Sequence, residues 1–212
     1  MIKTNAESQQ FDSKLALPVM ESFYTIQGEG YHQGTAAYFI RLAGCDVECP
    51  WCDVKESWDA QEHEIVPLLT LKDLLGESKA EIVVVTGGEP AMYDLDPLTS
   101  MIHSMGLKTH IETSGAYPIT GDWDWVCVSP KRFKKALKEC IDLADELKVI
   151  IAHENDFRFA QKYAQLVNIN CKLFLQPEWS LSEDLMPEII SYVKENPHFR
   201  ISLQVHKYLN IP

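Results

Sequence analysis

Residues 44–53 read Gly44-Cys45-Asp46-Val47-Glu48-Cys49-Pro50-Trp51-Cys52-Asp53. The three cysteines are separated by three and then two residues, so a single loop can wrap all three thiolates around one small metal centre. Thiolates suit iron–sulfur clusters, which usually take four cysteines, so one iron would here lack a protein ligand. An open coordination position is what a metal centre needs for chemistry. The stretch therefore predicts a reactive iron–sulfur site.

Two other interpretations of the cysteine stretch stay open at this point. A structural zinc site would need a fourth ligand from elsewhere, such as His32 or His63, although zinc sites more often use CxxC pairs. A disulfide plus a free thiol is the other alternative. Cys127 and Cys171 lie in apolar runs and Cys140 in a helical pattern, so we predict that these three are buried as small hydrophobic side chains.

Length and composition describe an ordinary globular chain. It has 212 residues, of which 46% are hydrophobic and 24% charged. No apolar run approaches the ~20 residues that span a bilayer, and the polar start shows no secretion signal. We expect a mobile N-terminal segment over residues 1–18 and a single domain over residues 19–212. A tight cysteine cluster without a signal indicates a reducing compartment, so we expect a cytoplasmic protein without membrane contact.

The formal net charge is −12, which argues against a nucleic acid as direct partner. The one dense basic run is Lys131-Arg132-Phe133-Lys134-Lys135. We interpret this run as the solvated start of a helix.

Short apolar runs alternate with helical patterns along the chain. The runs occupy residues 37–42, 82–85, 109–112, 125–128, 147–151, 173–175 and 201–205. Helical patterns fall near residues 69–77, 92–105, 133–145, 155–168 and 182–196. This alternation predicts an α/β fold of βα units with a parallel sheet. A full eightfold barrel typically takes ~250 residues. The chain is shorter, so we predict a partial, shortened TIM-like barrel.

Polar residues follow five of the predicted strands. They are Thr86–Pro90, Glu112–Gly115, Ser129–Lys131, Gln176–Pro177 and His206–Lys207. Each could be ordinary turn chemistry. Together they lie where parallel α/β folds build active sites, at the carboxyl ends of the strands. His110, within a strand, is interpreted as a core histidine.

The cysteine stretch resembles the signature of the radical S-adenosylmethionine superfamily, in which an aromatic residue precedes the last cysteine, as Trp51 does here. The resemblance implies a 4Fe-4S cluster on Cys45, Cys49 and Cys52. It also implies that S-adenosylmethionine binds the open iron and is cleaved to a hydrogen-abstracting radical. The segment Gly87–Pro90 is similar to the superfamily motif that holds the amino end of the methionine.

Further segments make the resemblance more specific, and it extends from about residue 20 to the end of the chain. Residues 23–30 (FYTIQGEG), 39–42 (FIRL) and the ending 206–212 (HKYLNIP) are similar to the 7-carboxy-7-deazaguanine synthase family. This implies a lyase that converts 6-carboxy-5,6,7,8-tetrahydropterin to 7-carboxy-7-deazaguanine with loss of ammonia, for queuosine and related deazapurines. It also implies a shortened barrel, a homodimer, magnesium, and an electron donor that the sequence does not identify.

The resemblance assigns site residues position by position. Substrate binding is implied for Ile26, Gln27, Gly28, Glu29, Arg41, Thr86 and Pro212. S-adenosylmethionine binding is implied for Trp51, Cys52, Asp53, Gly88, Ser129, Pro130, Lys131 and Gln176, with Glu112 and Ser114 nearby. Arg41 would clamp the substrate carboxylate, because a planar guanidinium matches it with two parallel hydrogen bonds.

Some features leave alternatives open. Val54 stands where the family commonly has a threonine that helps to hold magnesium, and valine has no side-chain oxygen. Arg41 could form a structural ion pair, Glu29 could be a loop acid, and the tail ending at Pro212 could pack on the barrel bottom. A glycyl-radical activase or a zinc-binding interaction protein are the competing functions.

Overall fold

The structure, a computed structural model, describes residues 15–212. The strands are β1 (Ala16–Ile26), β2 (Ala36–Leu42), β3 (Glu64–Pro67), β4 (Ile82–Gly87), β5 (Lys108–Thr113), β6 (Trp125–Val128), β7 (Glu146–Ile151), β8 (Lys172–Pro177) and β9 (Phe199–Ile201). The α-helices are α1 (Leu68–Glu77), α2 (Asp96–Ser104), α3 (Lys138–Leu143), α4 (Asn155–Ala164), α5 (Ser182–Glu195) and α6 (Val205–Leu209).

The strands form one sheet in the order β3-β1-β2-β4-β5-β6-β7-β8-β9. β1 is antiparallel to β2 and β3, whereas every neighbouring pair from β2 to β9 is parallel. The parallel strands follow each other in chain order, without the reversal of a doubly wound sheet. The sheet does not close, since β3 and β9 are its two ends. The predicted α/β partial barrel is confirmed.

Burial on both faces explains why these sequences form parallel strands. Ile82–Val85 of β4 is a continuous run of buried β-branched residues, because helices cover one face and the barrel interior the other. Helix α2 contributes Leu98, Met101 and Ile102, which share one helix face at helical spacing and belong to the main core cluster. These elements hold the sheet rigidly, so the loops at its carboxyl edge have a fixed base.

The structure corrects several boundaries. β1 and β3 were not predicted, and Ala16–Pro18 lies in β1 paired with β3 rather than in the expected mobile segment. Residues 1–14 of that segment lie outside the described residues. The predicted strand 201–205 is wrong beyond Ile201, because Val205 begins α6, so His206 and Lys207 lie in a helix.

The predicted helices 92–105 and 133–145 are shorter than expected. Pro90–Met92 forms a separate 3-10 turn before α2, and α3 begins only at Lys138. The basic run 131–135 is therefore a loop and not a helix start. Cys127, Cys140, Cys171 and His110 are buried, as predicted. None of the helices between residues 15 and 212 is both long and apolar enough to cross a membrane.

Ile102→Ala is expected to lower the free energy of unfolding by about 2–5 kcal/mol, because it removes a fully buried side chain and leaves a cavity. Ile169→Ala is the matched control, since Ile169 is 98% exposed, and its effect should stay within about 0.5 kcal/mol. Urea unfolding of both variants measures the difference. Equal losses would contradict the placement of α2 against the sheet.

Candidate active site

A cavity of about 250 Å³ lies at the carboxyl edge of the parallel strands. Its lining includes the predicted substrate residues Ile26, Gln27, Gly28, Glu29, Arg41, Thr86 and Pro212. It also includes Cys45, Cys49, Trp51, Cys52, Asp53, Gly88, Glu112, Ser114, Ser129, Lys131 and Gln176. Pro130, predicted with its neighbours Ser129 and Lys131, is not among the lining residues. The structure thus gathers residues that are up to 186 positions apart in sequence, from Ile26 to Pro212.

The cysteine loop leaves the end of β2 and is fastened by its own main chain. The N–H of Gly44 donates to the carbonyl of Ser57 (2.6 Å), and that of Cys45 donates to the carbonyl of Trp58 (3.1 Å). Between the cysteines, Glu48 takes a left-handed conformation with φ 49°. The N–H of Cys52 donates to the carbonyl of Cys49 at 2.9 Å. The loop therefore curls, which brings the three cysteines to one wall of the cavity.

The cysteine side chains fit an iron–sulfur cluster. All three are free thiols and line the same cavity. Burial raises the pKa of Cys45, and it raises the pKa of Cys49 to about 11, so iron has to displace protons from both. As the loop stands, no three or more His, Cys, Asp or Glu side chains within residues 15–212 converge closely enough to hold a metal ion. The cysteine set is thus an open wall rather than a closed site.

Two glycines let the end of β4 approach the cysteine loop. A Cβ on Gly88 would lie less than 3.0 Å from the carbonyl oxygen of Gly44 and 2.9 Å from Cβ of Cys45. Gly87 has φ 136°, a conformation that other residues rarely adopt, and a Cβ there would collide with the main chain of Leu42. The resulting contact is sealed by hydrogen bonds from the N–H of Gly88 to Leu42 and of Glu89 to Gly44 (2.9 and 2.8 Å).

The Glu89 carboxylate, 1% exposed, ties this segment to the end of β5. One oxygen accepts from the N–H of Ala91 (3.0 Å) and from the Thr113 hydroxyl. The other accepts from the N–H of Ser114 (2.8 Å) and from the Ser114 hydroxyl. Four donors therefore satisfy a buried charge without a cation. Glu89 fixes the position of Gly88 and Ser114 in the wall.

A second polar group in the cavity lining surrounds a buried lysine. Lys148 of β7 donates to Glu29 and to Glu112, the latter at 2.8 Å. Gln27 donates from its amide to Glu112 at 2.9 Å. Burial alone would raise the pKa of Glu112, but the Lys148 ammonium and its hydrogen bond prevail and lower it. Glu112 and Glu29 thus face the cavity as a linked pair.

Arg41 and Thr86 occupy adjacent positions on paired strands, since their Cα atoms are register partners between β2 and β4. Arg41 donates from Nε to Glu21 at 2.7 Å, so the structural ion pair left open above does exist. A guanidinium carries five N–H groups, and this bond uses one of them. Arg41 also lines the cavity, so the ion pair and a role toward an anion are compatible.

The C-terminal tail lines the cavity rather than packing on the barrel bottom. The N–H of Val205 donates to the carbonyl of Gly28 at 2.9 Å, and a Cβ on Gly28 would collide with the ring of His206. Pro212 lines the cavity, and its carbonyl accepts from the hydroxyl of Thr25 at 3.3 Å. The alternative that the tail packs on the barrel bottom is therefore wrong.

In the basic loop 131–135, one residue lines the cavity and two others form ion pairs with neighbouring segments. Lys131 donates to the hydroxyl of Ser129 at 2.6 Å and lies over the Trp51 ring, 5.3 Å from its centroid. Burial lowers the pKa of Lys131. Arg132 pairs with Asp156, and Lys134 pairs with Asp46 of the cysteine loop, both at 2.6 Å.

Comparison with known proteins identifies the family. A family model described as a 4Fe-4S single cluster domain matches residues 26–166. A 7-carboxy-7-deazaguanine synthase from Flavobacterium psychrophilum is 56% identical over 92% of this chain and 93% of that protein, and one from Synechocystis sp. is 44% identical over 93% and 94%. The crystal structure of QueE from Escherichia coli, 31% identical, matches with a TM-score of 0.79 and covers 95% of this chain and 100% of that chain. The chain belongs to the 7-carboxy-7-deazaguanine synthase family.

Family membership identifies the chain as a radical S-adenosylmethionine lyase whose cofactors are a 4Fe-4S cluster and S-adenosylmethionine. It favours this function over an activase or a zinc-binding protein. The positions of the two candidate zinc ligands also argue against a zinc site. His63 contacts the carbonyl of Glu56 at 2.6 Å. His32 packs against His110 and Trp125 and lines a second, smaller cavity.

Sequence reasoning gave no specific role to Lys148, Gln204 and His206, which are among the further residues that line the cavity. Lys148 carried a signal, because a lone charge inside the apolar run 147–151 is unusual for a strand buried on both faces. His206 carried a weak signal as a polar residue after a predicted strand, and Gln204 carried none, since it was predicted to lie within that strand. Only the tertiary contact between the tail and Gly28 brings them to the cavity.

Glu89→Gln is expected to lower the free energy of unfolding by about 1–3 kcal/mol. The main-chain N–H groups of Ala91 and Ser114 donate to different carboxylate oxygens and cannot turn away. An amide offers one oxygen, so one of these N–H groups must face another donor. The exposed Glu188→Gln is the control and should change stability by less than about 0.5 kcal/mol. Chemical denaturation of both variants measures this, and equal curves would refute the role of Glu89.

Proposed function

We propose that this chain catalyses the radical-mediated ring contraction of 6-carboxy-5,6,7,8-tetrahydropterin to 7-carboxy-7-deazaguanine, with loss of ammonia, in queuosine or deazapurine biosynthesis. The names of the relatives support this reaction. The observation that carries it is that one cavity is lined both by the three cysteines and by polar side chains suited to a pterin. Cys45, Cys49 and Cys52 form the first set, and Glu29 and Arg41 belong to the second.

The cysteine wall is the proposed cofactor side. When bound there, the cluster and S-adenosylmethionine supply the radical that abstracts hydrogen. Gly88 lets the main chain come close to the cofactor, because it has no side chain. Ser129, Lys131 and Gln176 offer a hydroxyl, an ammonium and an amide toward S-adenosylmethionine. Trp51, Cys52, Asp53, Ser114 and, beside Lys131, Pro130 complete the proposed set. Glu112, which the sequence placed near S-adenosylmethionine, bonds to Gln27 and Lys148, so we propose it for the substrate side instead.

The part of the lining around Glu29 and Arg41 is the proposed substrate side. Gln27 and Glu29 would hydrogen-bond the aminopyrimidinone edge of the pterin, with the main chain of Ile26 and Gly28 alongside. Arg41, next to Thr86, would bind the carboxylate of the substrate in a charge-assisted pair. Pro212 would close the cavity over the bound ring. These assignments give each substrate polar group a partner of matching character.

Assembly and surroundings are also proposals. We infer a single domain from Ala16 to Pro212, a homodimer like that implied for the family, and an electron donor still to be identified. A cytoplasmic location is supported by the cysteines, since all six are free thiols in the described structure.

Magnesium fits this chain poorly. Val54 lines the cavity but offers no oxygen. The neighbouring Asp53 has its Oδ2 atom engaged by Lys207 at 2.8 Å and by Gln204 at 3.2 Å. We therefore assign no step of the reaction to magnesium.

The test of the proposed reaction is turnover by anaerobically reconstituted protein with a reductant, S-adenosylmethionine and the carboxy-tetrahydropterin. We expect 7-carboxy-7-deazaguanine from the wild type and none from Cys49→Ala, which lacks one thiolate ligand. Cys171→Ala is the control. Cys171 is buried in the core cluster and does not line the cavity, so this variant should keep turnover.

The readouts separate the parts of the proposal. Release of 5′-deoxyadenosine without deazaguanine product would keep the cofactors and refute the substrate. A Cys49→Ala protein that retains cluster absorbance would refute the assignment of the cysteine ligands.

Omission of magnesium, with excess chelator, is expected to change wild-type turnover by less than about twofold. Val54→Thr restores a hydroxyl at the cavity wall, so the activity of this variant should rise when magnesium is added. Steady-state rates at several magnesium concentrations measure both effects. Complete loss of wild-type activity without magnesium would contradict the expectation and would mean that other oxygens hold the ion.

A further inference from the structure

Lys148 is a charged residue in the interior of the barrel. Its side chain is 4% exposed and points from the middle of β7 toward the cavity wall. It forms ion pairs with Glu29, in the loop after β1, and with Glu112, on β5. These two carboxylates come from segments 83 residues apart (112 − 29). Lys148 is therefore the group that brings them together.

The charges explain why a lysine is needed here. Two carboxylates close together and away from water repel each other, so without a cation one of them binds a proton. Burial by itself lowers the pKa of Lys148, but Glu112 and Glu29 outweigh it and raise the pKa well above its usual value. The ammonium stays charged, and the pKa of Glu112 is lowered. Lys148 thus favours the ionised form of Glu112.

The hydrogen bonds also fix the orientation of both carboxylates. Glu29 accepts from Lys148 with one oxygen and from Gln204 with the other, the latter at 3.0 Å. Glu112 likewise accepts from Lys148 at 2.8 Å and from Gln27 at 2.9 Å. Each carboxylate oxygen has two acceptor positions. Every oxygen of the pair therefore keeps one acceptor position, held in a fixed direction.

We propose that Lys148 is a positioning residue for substrate recognition: it holds Glu29 and Glu112 as oriented acceptors for the N–H donors of the aminopyrimidinone ring. The inference rests on the proposed function for the identity of that ring. The exocyclic amine and the ring N–H of such a ring both need acceptors. A protonated Glu29 or Glu112 would present a donor instead and would reject it.

The nearby Glu146 has a different role. It precedes Lys148 by two residues on the same face of β7, but it accepts from the N–H of Tyr31 at 3.0 Å and from the Trp125 ring at 3.3 Å. Burial raises the pKa of Glu146. It lines the second, smaller cavity and not the large one. Of these two residues, Lys148 is therefore the one that bonds to Glu29 and Glu112.

The test compares Lys148→Met with Lys138→Met in cluster-loaded enzyme. Methionine keeps the length of the side chain without its charge. Lys138 is the control because its side chain is 85% exposed and pairs only across one helical turn with Asp142. Three quantities are measured: KM and kcat for the carboxy-tetrahydropterin, and reductive cleavage of S-adenosylmethionine without pterin.

In Lys148→Met we expect KM for the pterin to rise at least about 30-fold, the loss expected when charge-assisted hydrogen bonds are misdirected. Cleavage of S-adenosylmethionine without pterin should stay within about threefold of wild type, because the cofactor wall is intact. Lys138→Met should match the wild type in all three quantities. An unchanged KM in Lys148→Met would overturn the proposal.

A second variant covers the case in which Lys148→Met is unstable because two carboxylates repel. Glu112→Gln combined with Lys148→Met removes that repulsion and leaves the Glu29 side chain in place as an acceptor. We expect this double variant to have a lower KM than Lys148→Met and a cluster content equal to wild type. If both variants lose pterin turnover and S-adenosylmethionine cleavage in parallel, Lys148 is structural and the proposal is refuted.

The wild type separates this inference from the proposed function. If the wild type cleaves S-adenosylmethionine but does not convert the pterin, the proposed substrate is wrong. If the wild type converts the pterin and Lys148→Met does so with unchanged KM, only the role of Lys148 is wrong.

Discussion

The close approach of Gly87 and Gly88 to the main chain of residues 42–45 is the contact on which the site depends. It joins the end of β4 to the start of the cysteine loop, and no side chain would fit between them. Glu89 then locks the same segment to the end of β5 with four hydrogen bonds. The cysteine loop is thereby held against a rigid sheet at its base, while the thiols face the cavity.

Electrostatics divides the cavity into two sides. The protein carries a net charge of −12, yet two lysines line the cavity, of which Lys131 is half-buried and Lys148 is buried. Lys131 lies beside Ser129 and the Trp51 ring on the cysteine side, and burial lowers its pKa. Lys148 lies between Glu29 and Glu112 on the other side, and the pKa of this lysine is raised. The two lysines thus differ because burial dominates the pKa of Lys131, whereas the carboxylates of Glu112 and Glu29 dominate the pKa of Lys148.

The pattern of apolar residues along the chain predicted many of the strands and helices. The continuous apolar strand Trp125–Val128 was predicted with its observed bounds, and α5 differed by one residue at its end. β1 was missed because it is largely half-exposed and its residues alternate irregularly between polar and apolar. The last predicted strand failed at Val205, where an apolar residue begins a short helix because its N–H bonds to Gly28. Local patterns do not report such a distant partner.

The sequence by itself determined the cysteine chemistry and the fold class. Both depend on short-range order: three thiols within eight positions, and apolar runs whose length and spacing suit parallel strands. The tertiary structure alone decided which residues share the cavity. Lys148 bonds to partners 119 and 36 residues away, and the tail reaches Gly28 across most of the chain. Such pairings arise because the carboxyl ends of all parallel strands meet at one edge of the sheet, a constraint of packing that no local stretch of sequence contains.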